Sequence, residues 1–391
     1  MIPAVMPTYG RWDVAVDRGE GCYLYATDGR KFLDFTSGIA VTSLGHCHPH
    51  LIKAVTEQAQ KLWHSSNLFQ IPGQQRLAER LTANSFADTV FFNNSGAEAV
   101  ELSIKVARKY QSETGHPERY RVIGCHGSFH GRSFATLAAA GAEGYLKGFG
   151  PPMDGFDHVA FNNLNEMRAA VSDQTAAILV EPVQGEGGVR APSADYLKGL
   201  RAICDEYGLV LVYDEVQCGM GRTGKLFAHQ WAGVAPDVMA VAKALGNGFP
   251  IGACLATEKA AVGMVAGTHG STFGGNPMAV ACGNAVLDVM LEPGFFERTQ
   301  RVARLLWGKL EALVGAYPKL FAELRGSGHL LGIRCHVTAG DFVAKLRAEG
   351  LLCLTAGDNV LRILPPLIVG EGEIDEGLGI LHKVAKEWPA S

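Results

Sequence analysis

Between about residue 50 and residue 275 the chain alternates short, unbroken apolar runs with longer stretches whose apolar residues recur every three or four positions. The short runs are TVFF (89–92), RVIGC (121–125), AAILV (176–180), LVLVY (209–213), DVMAVA (237–242) and ACLA (253–256). Runs of this length, without polar alternation, read as strands buried on both faces, and the amphipathic stretches read as helices covering the sheet. The expectation is an α/β fold with a large, mainly parallel sheet. AVELSIKVARKY places Val100, Ile104, Ala107 and Tyr110 on one helical face. HLIKAVTEQAQKLW, with Pro49 at the helix start, does the same with Leu51, Val55, Ala59 and Leu62.

The pattern changes from about residue 285. AVLDVMLEPGFFERTQRVARLLWGKLEALV reads as helical and gives way to short strands and helices around LLGIRCHV, DFVAKLRAEGLL and NVLRILPPLIV. A smaller α+β domain over 285–391 is expected. GCYLYATDGRKFLDF reads as strands about a turn at Asp28-Gly29, so residues 1–49 are expected to join the smaller domain and 50–284 to form the large one.

Composition narrows the function. With 391 residues, 47% of them hydrophobic, the chain has enough apolar mass for such a core. A net charge of −4 without a lysine and arginine cluster offers no footprint for nucleic acid. The start, MIPAVMPTYGRWDVAVDRGEG, has neither the signal-peptide order nor a bilayer-spanning run, so the cytoplasm, without membrane association, is the expectation. Nine cysteines without a C-x-x-C pair read as reduced thiols. Gly45-His46-Cys47-His48-Pro49-His50 packs four soft ligands together, but consecutive residues cannot all face one centre; it reads as a turn, and no metal is expected. CGMGRTGK (218–225) contains G-x-G-x-x-G at Gly219, Gly221 and Gly224. A dinucleotide loop requires a helix directly after the strand, and KLFAHQWAGVAPD shows no sustained helical period.

In open α/β sheets ligands bind beyond the carboxyl ends of the strands, so the first polar residues after each run are the place to look. After TVFF comes NNSGAE, where Ser95 and Glu98 form a capping box and Gly96 lets an anion approach free N–H groups at a helix start. After RVIGC comes HGSFHGR, with Phe129 able to stack on a planar ring and Arg132 able to hold a carboxylate. Glu181 follows AAILV and Asp214-Glu215 follows LVLVY; an acid at the end of a buried strand needs a cation or strong donors. Lys243 follows DVMAVA, where burial lowers an amine's pKa and suits it to condense with an aldehyde; a structural Lys-Asp pair is the plain alternative. Together these groups suit pyridoxal 5'-phosphate: Lys243 for its aldehyde, Asp214 for its pyridine nitrogen, Ser95 to Ala97 for its phosphate.

Over nearly its whole length the chain resembles the fold-type I, class III pyridoxal-phosphate aminotransferases. The resemblance lies in FTSGIAVTSLGHCHP, FFNNSGAEA, HGSFHGRSFATLAA, EPVQGEGGV, VYDEVQCGMGRTGKLFA, AKALGNGFPIGA and HGSTFGGNP. It implies that Lys243 bonds the cofactor, that Asp214 binds the pyridine nitrogen and that Gln217 lies near the ring hydroxyl. It further implies that Phe129 and Val216 sandwich the ring and that Gly96 and Ala97 bind phosphate. Thr272 would reach the phosphate of the neighbouring subunit's cofactor, which requires a homodimer with shared sites. Where many relatives carry asparagine, this chain has Val100, a change expected to alter packing more than chemistry.

The members most similar move the terminal amino group of N2-acetylornithine to 2-oxoglutarate in arginine biosynthesis, giving N-acetylglutamate 5-semialdehyde and glutamate. By resemblance, Arg132 holds the donor's α-carboxylate, and Arg362 is neutralised by Glu181 until a keto acid or glutamate displaces that pair. Ile39 and Ser271 complete the substrate-binding set, Ile39 tolerating an acylated nitrogen where ornithine-specific relatives carry tyrosine. Succinylornithine, succinyl-diaminopimelate, ornithine and 4-aminobutyrate remain alternative donors. A decarboxylase, an aminomutase or a non-catalytic cofactor-binding regulator would not need the Arg132, Glu181 and Arg362 set.

Overall fold

A computed structural model of the chain describes residues 2–389. Fifteen strands form three sheets among these residues. Near the N-terminus are β1 (Val16–Glu20), β2 (Tyr23–Ala26) and β3 (Lys31–Asp34). The middle of the chain supplies β4 (Thr89–Asn93), β5 (Arg121–Cys125), β6 (Phe156–Val159), β7 (Thr175–Val180), β8 (Val210–Asp214), β9 (Val238–Val241) and β10 (Gly252–Ala256). The last third supplies β11 (Phe321–Ser327), β12 (Leu330–Cys335), β13 (Leu351–Leu352), β14 (Leu354–Ala356) and β15 (Val360–Ile363).

The large sheet has the order β4-β10-β9-β8-β7-β5-β6. Six of its strands coincide, within a residue at each end, with the six apolar runs. Complete burial along β7, β8 and β9 explains why they lack alternation, since helices cover both faces. The strand sequence reasoning missed is β6, FDHV, an edge strand paired only with β5, where Asp157 binds Arg121 and His158 binds the Ala138 carbonyl. β10 runs antiparallel to both β4 and β9; the rest of the sheet is parallel.

The helix Gly96–Glu113 is buried around most of its circumference, and Val100, fully buried, packs in the apolar layer against β8 and β9. The helix begun by Pro49 ends at Ala59 with only Leu51 buried, so Leu62 lies beyond it and is exposed, contrary to the face read from the sequence. Pro277–Met290 packs into the core of the large sheet and crosses residue 284, so the change of core comes at the following break. From there Phe295–Ala316 and Glu371–Lys386 share a second core with β11, β12 and β15, to which Leu33 and Phe35 from the N-terminal region contribute. The N-terminal strands reach it because β3 pairs in parallel with β13. No single helix among the described residues is long and apolar enough to cross a membrane.

Candidate active site

The strand ends converge on a cavity of about 390 Å³. At one wall the chain leaves β4 through Asn94 and Ser95 into the helix Gly96–Glu113. The Ser95 hydroxyl accepts from the Glu98 N–H at 3.2 Å, the first half of the box the spacing predicts, while the Glu98 carboxylate accepts from the Asn94 N–H at 2.8 Å, one residue before the cap, and from the Ser95 hydroxyl. Both groups are satisfied without using the N–H groups of Gly96 and Ala97, which stand at the positive end of an 18-residue helix and line the cavity. A Cβ on Gly96 would lie 2.6 Å from Val216 Cγ1, so only glycine lets the helix start approach that side chain.

Opposite this cradle, β8 ends at Asp214, a carboxylate with 3% of its surface exposed. It accepts from the Val216 N–H at 2.9 Å and pairs with His130 Nδ1 at 2.7 Å. Burial pulls the His130 pKa down, but the hydrogen bond and charge of Asp214, with the charge of Glu181, outweigh it and leave the imidazole raised. Sequence reasoning assigns His130 no role; the signal for it is a histidine in HGSFHGR, the loop that also presents Phe129. The second acid of the pair, Glu215, turns away and accepts from the Ala228 and His229 backbone N–H groups and from the His229 ring. That bonding orders the glycine-rich loop, which leads into a single 3-10 turn at Ala228–Trp231 rather than a nucleotide-binding helix.

Lys243 lies one residue beyond Ala242 at the end of β9 and lines the same cavity. Its φ of +47° is a left-handed conformation that disfavours any residue with a Cβ, and such strain recurs at functional positions. Burial lowers its pKa, the direction that makes an amine nucleophilic near neutrality. Phe129, Val216, Gln217, Arg132 and Glu181 line the cavity with it.

The two arginines are held differently. Arg132 makes no ion pair among the described residues; its guanidinium lies 3.7 Å over the Tyr145 ring and 5.3 Å over Phe129. Arg362, 2% exposed, is paired, and its partner corrects the sequence reading. Its two terminal nitrogens donate to Glu186 at 2.5 and 3.1 Å, and one also donates to Gln217 at 3.1 Å. Glu181 instead accepts from the Phe129 and Gly185 backbone N–H groups at 2.9 and 3.1 Å. The reason is reach: Glu181 directly follows β7 and is fixed inward, while the next turn carries Glu186 out towards β15, where Arg362 stands. Glu186 and its partner are 176 residues apart in sequence, so no local pattern marked the acid. Burial would raise the Glu186 pKa, but the charge and hydrogen bonds of Arg362, with the charge of Lys243, hold it below the usual range.

Ile39, Ser271, Thr272 and Arg362 are not part of the cavity wall. Ile39 is 43% exposed with φ +67°, and Val41 from the same stretch lines the cavity in its place. Ser271 lines a neighbouring cavity of about 320 Å³ and accepts from Asn94 Nδ2 at 3.3 Å, while Thr272 is exposed. The histidines near Cys47 diverge, His46 pairing with Asp34 and His50 with Asp288.

The chain matches the Aminotransferase class-III family over residues 5–385. The protein is a class III aminotransferase. Acetylornithine aminotransferase 1 of Bradyrhizobium diazoefficiens is 58% identical over 97% of this aminotransferase and 94% of the relative. Among solved structures, an N-acetylornithine aminotransferase from Stenotrophomonas maltophilia is 38% identical with TM-score 0.85, covering 97% of each chain. An ornithine aminotransferase from Toxoplasma gondii, with partial occupancy of PLP at its active site, is 30% identical with TM-score 0.93, covering 98% of this aminotransferase and 92% of that chain.

Proposed function

We propose that this aminotransferase moves the terminal amino group of N2-acetylornithine to 2-oxoglutarate, using pyridoxal 5'-phosphate in a homodimer with shared sites. The observation that carries the reading is one cavity whose walls present Lys243, Asp214, a helix start and Arg132, unpaired among the described residues, while behind the wall residue Gln217 a second arginine, Arg362, is masked by Glu186. The residues fit the cofactor in kind: an amine for its aldehyde, a buried acid for its ring nitrogen, Phe129 and Val216 for its faces, and unspent N–H groups at Gly96 and Ala97 for its phosphate. When bound, pyridoxal phosphate supplies an aldehyde that condenses with amines and a protonated ring that draws electrons from the neighbouring carbon. Asp214, oriented by His130, holds the proton at the ring nitrogen. Lys243 would bond the cofactor's aldehyde and, when its amine is free, would be the base that moves a proton at the substrate carbon. Thr272 is exposed, as a residue serving a neighbouring subunit's phosphate would be.

The two half-reactions need opposite treatment of one pocket. With the terminal amine at Lys243, the donor's α-carboxylate extends outward to Arg132, and the closed Glu186-Arg362 pair shows no free cation near Lys243 to an α-carboxylate. A keto acid brings its α-carboxylate to that position, displaces Glu186 and takes Arg362 in a two-point bond. Names and identities of the relatives support N2-acetylornithine as donor. The test is a single-turnover comparison of N2-acetylornithine, ornithine, succinylornithine, succinyl-diaminopimelate and 4-aminobutyrate, followed by the cofactor's absorbance. Fastest conversion of N2-acetylornithine, reversed by 2-oxoglutarate, is expected; faster conversion of any other donor overturns the substrate assignment.

A further inference from the structure

We infer that Tyr145 is a positioning residue that sets the affinity for the amino donor by holding the Arg132 guanidinium over its ring. The inference rests on the reading of Arg132 as the site of the donor's α-carboxylate. Arg132 is a long, exposed side chain without an ion pair among the described residues, and such a side chain ordinarily samples many rotamers. Here its guanidinium lies 3.7 Å over the Tyr145 centroid, close enough for the ring's negative face to fix the plane of the cation. The ring is itself oriented, standing at 86° to Phe129 with centroids 6.2 Å apart. Phe129 is anchored by its backbone N–H on Glu181, so the chain of contacts runs from a buried carboxylate through two rings to the cation.

Tyr145 is not a residue of the buried core. It belongs to the short helix Glu143–Leu146, none of whose residues is buried, and its own side chain is 41% exposed. An aromatic residue on such a segment adds little to the core. Because the face of the guanidinium rests on the ring, its edge keeps the N–H groups free for a planar carboxylate. The arrangement serves the outward carboxylate of either substrate, because a keto acid whose α-carboxylate lies on Arg362 extends its second carboxylate to the place that the donor's α-carboxylate takes at Arg132.

The holoenzyme tests this with N-acetylnorvaline, which keeps the donor's acyl group and α-carboxylate but lacks the terminal amine and cannot react. Calorimetric Kd values for this probe, together with KM and kcat for both substrates, are compared for Tyr145→Leu, Tyr145→Phe and Arg132→Ala. Tyr145→Leu is expected to weaken the probe and raise the donor KM about tenfold, with kcat and the cofactor's absorbance unchanged, while Tyr145→Phe stays within about twofold of wild type. If Arg132→Ala abolishes probe binding and Tyr145→Leu leaves it intact, the inference fails and the reading of Arg132 survives. Intact probe binding in Arg132→Ala overturns both. A fall in kcat or a changed cofactor absorbance with Tyr145→Leu, or no rescue by Tyr145→Phe, shows a merely structural residue and also overturns the inference.

Discussion

Glu181 and Glu186 belong to one loop and carry the same functional group, yet the fold treats them in opposite ways. Glu181 is pinned at the end of a buried strand by two backbone N–H groups, and desolvation pushes its pKa up to about 7 even though His130 pulls the other way. Glu186 meets a guanidinium, which holds it ionised. The difference teaches that a carboxylate facing an active-site cavity is not thereby a switch. A switch needs a cationic partner that a substrate can take over, and only Glu186 has one.

Removing that partner is the most severe way to break the contrast. Arg362→Met leaves the Glu186 carboxylate without its cation, and loss of one member of a largely buried pair is expected to cost about 3 kcal/mol of stability, read by denaturant titration. In the same variant the KM for 2-oxoglutarate should rise about 100-fold, the loss expected for a charge-assisted contact to a carboxylate.

Next comes pH. The folded state retains a proton on Glu181 that the unfolded chain has already released, in the window from 4.5 to about 7. Stability is therefore lost as pH rises through that window, by on the order of 3 kcal/mol, and Glu181→Gln should flatten this limb of the stability profile. Glu186 has the opposite sign: its stabilisation is present above the ordinary carboxylate pKa and is lost as pH falls through its lowered value. Two profiles of the same shape for Glu181→Gln and Glu186→Gln would contradict the distinction.

A subtler effect separates the two in kinetics. Glu186→Gln exposes Arg362 permanently and should raise the rate with glutamate relative to N2-acetylornithine about tenfold in single turnovers, whereas Glu181→Gln should leave that ratio alone. The mildest change lies in the same cavity wall as Glu181, at the helix start. Ser95→Ala removes a helix cap, costs about 1 kcal/mol, and should slow both half-reactions alike by loosening the phosphate cradle.

Much of this was legible in the sequence because burial on both faces leaves an unbroken apolar run. Six strands of the large sheet, and the polar residues where they end, could be read that way. Lys243, Asp214 and Ser95 stand at such ends, and the structure brings them to one cavity. What escaped depended on distance along the chain. The reversal of β10 is set by its neighbours and leaves no mark in ACLA. β6 was hidden because an edge strand uses Asp157 and His158 for outward bonds, breaking its apolar run. Glu181 reads in the sequence as a buried acid needing donors, which the Phe129 and Gly185 N–H groups supply, but pairing it with Arg362 fails because nothing local shows that β15 lies beside Glu186.

The left-handed backbone at Lys243 sets durability against turnover at one dihedral angle. Glycine would adopt that conformation without the steric penalty, on the order of 1 kcal/mol, that every other L-residue meets there, yet glycine has no amine. Variants selected only for survival at high temperature would drift towards a sturdier, inert protein at this position. The lysine persists only under a pressure that rewards product formed.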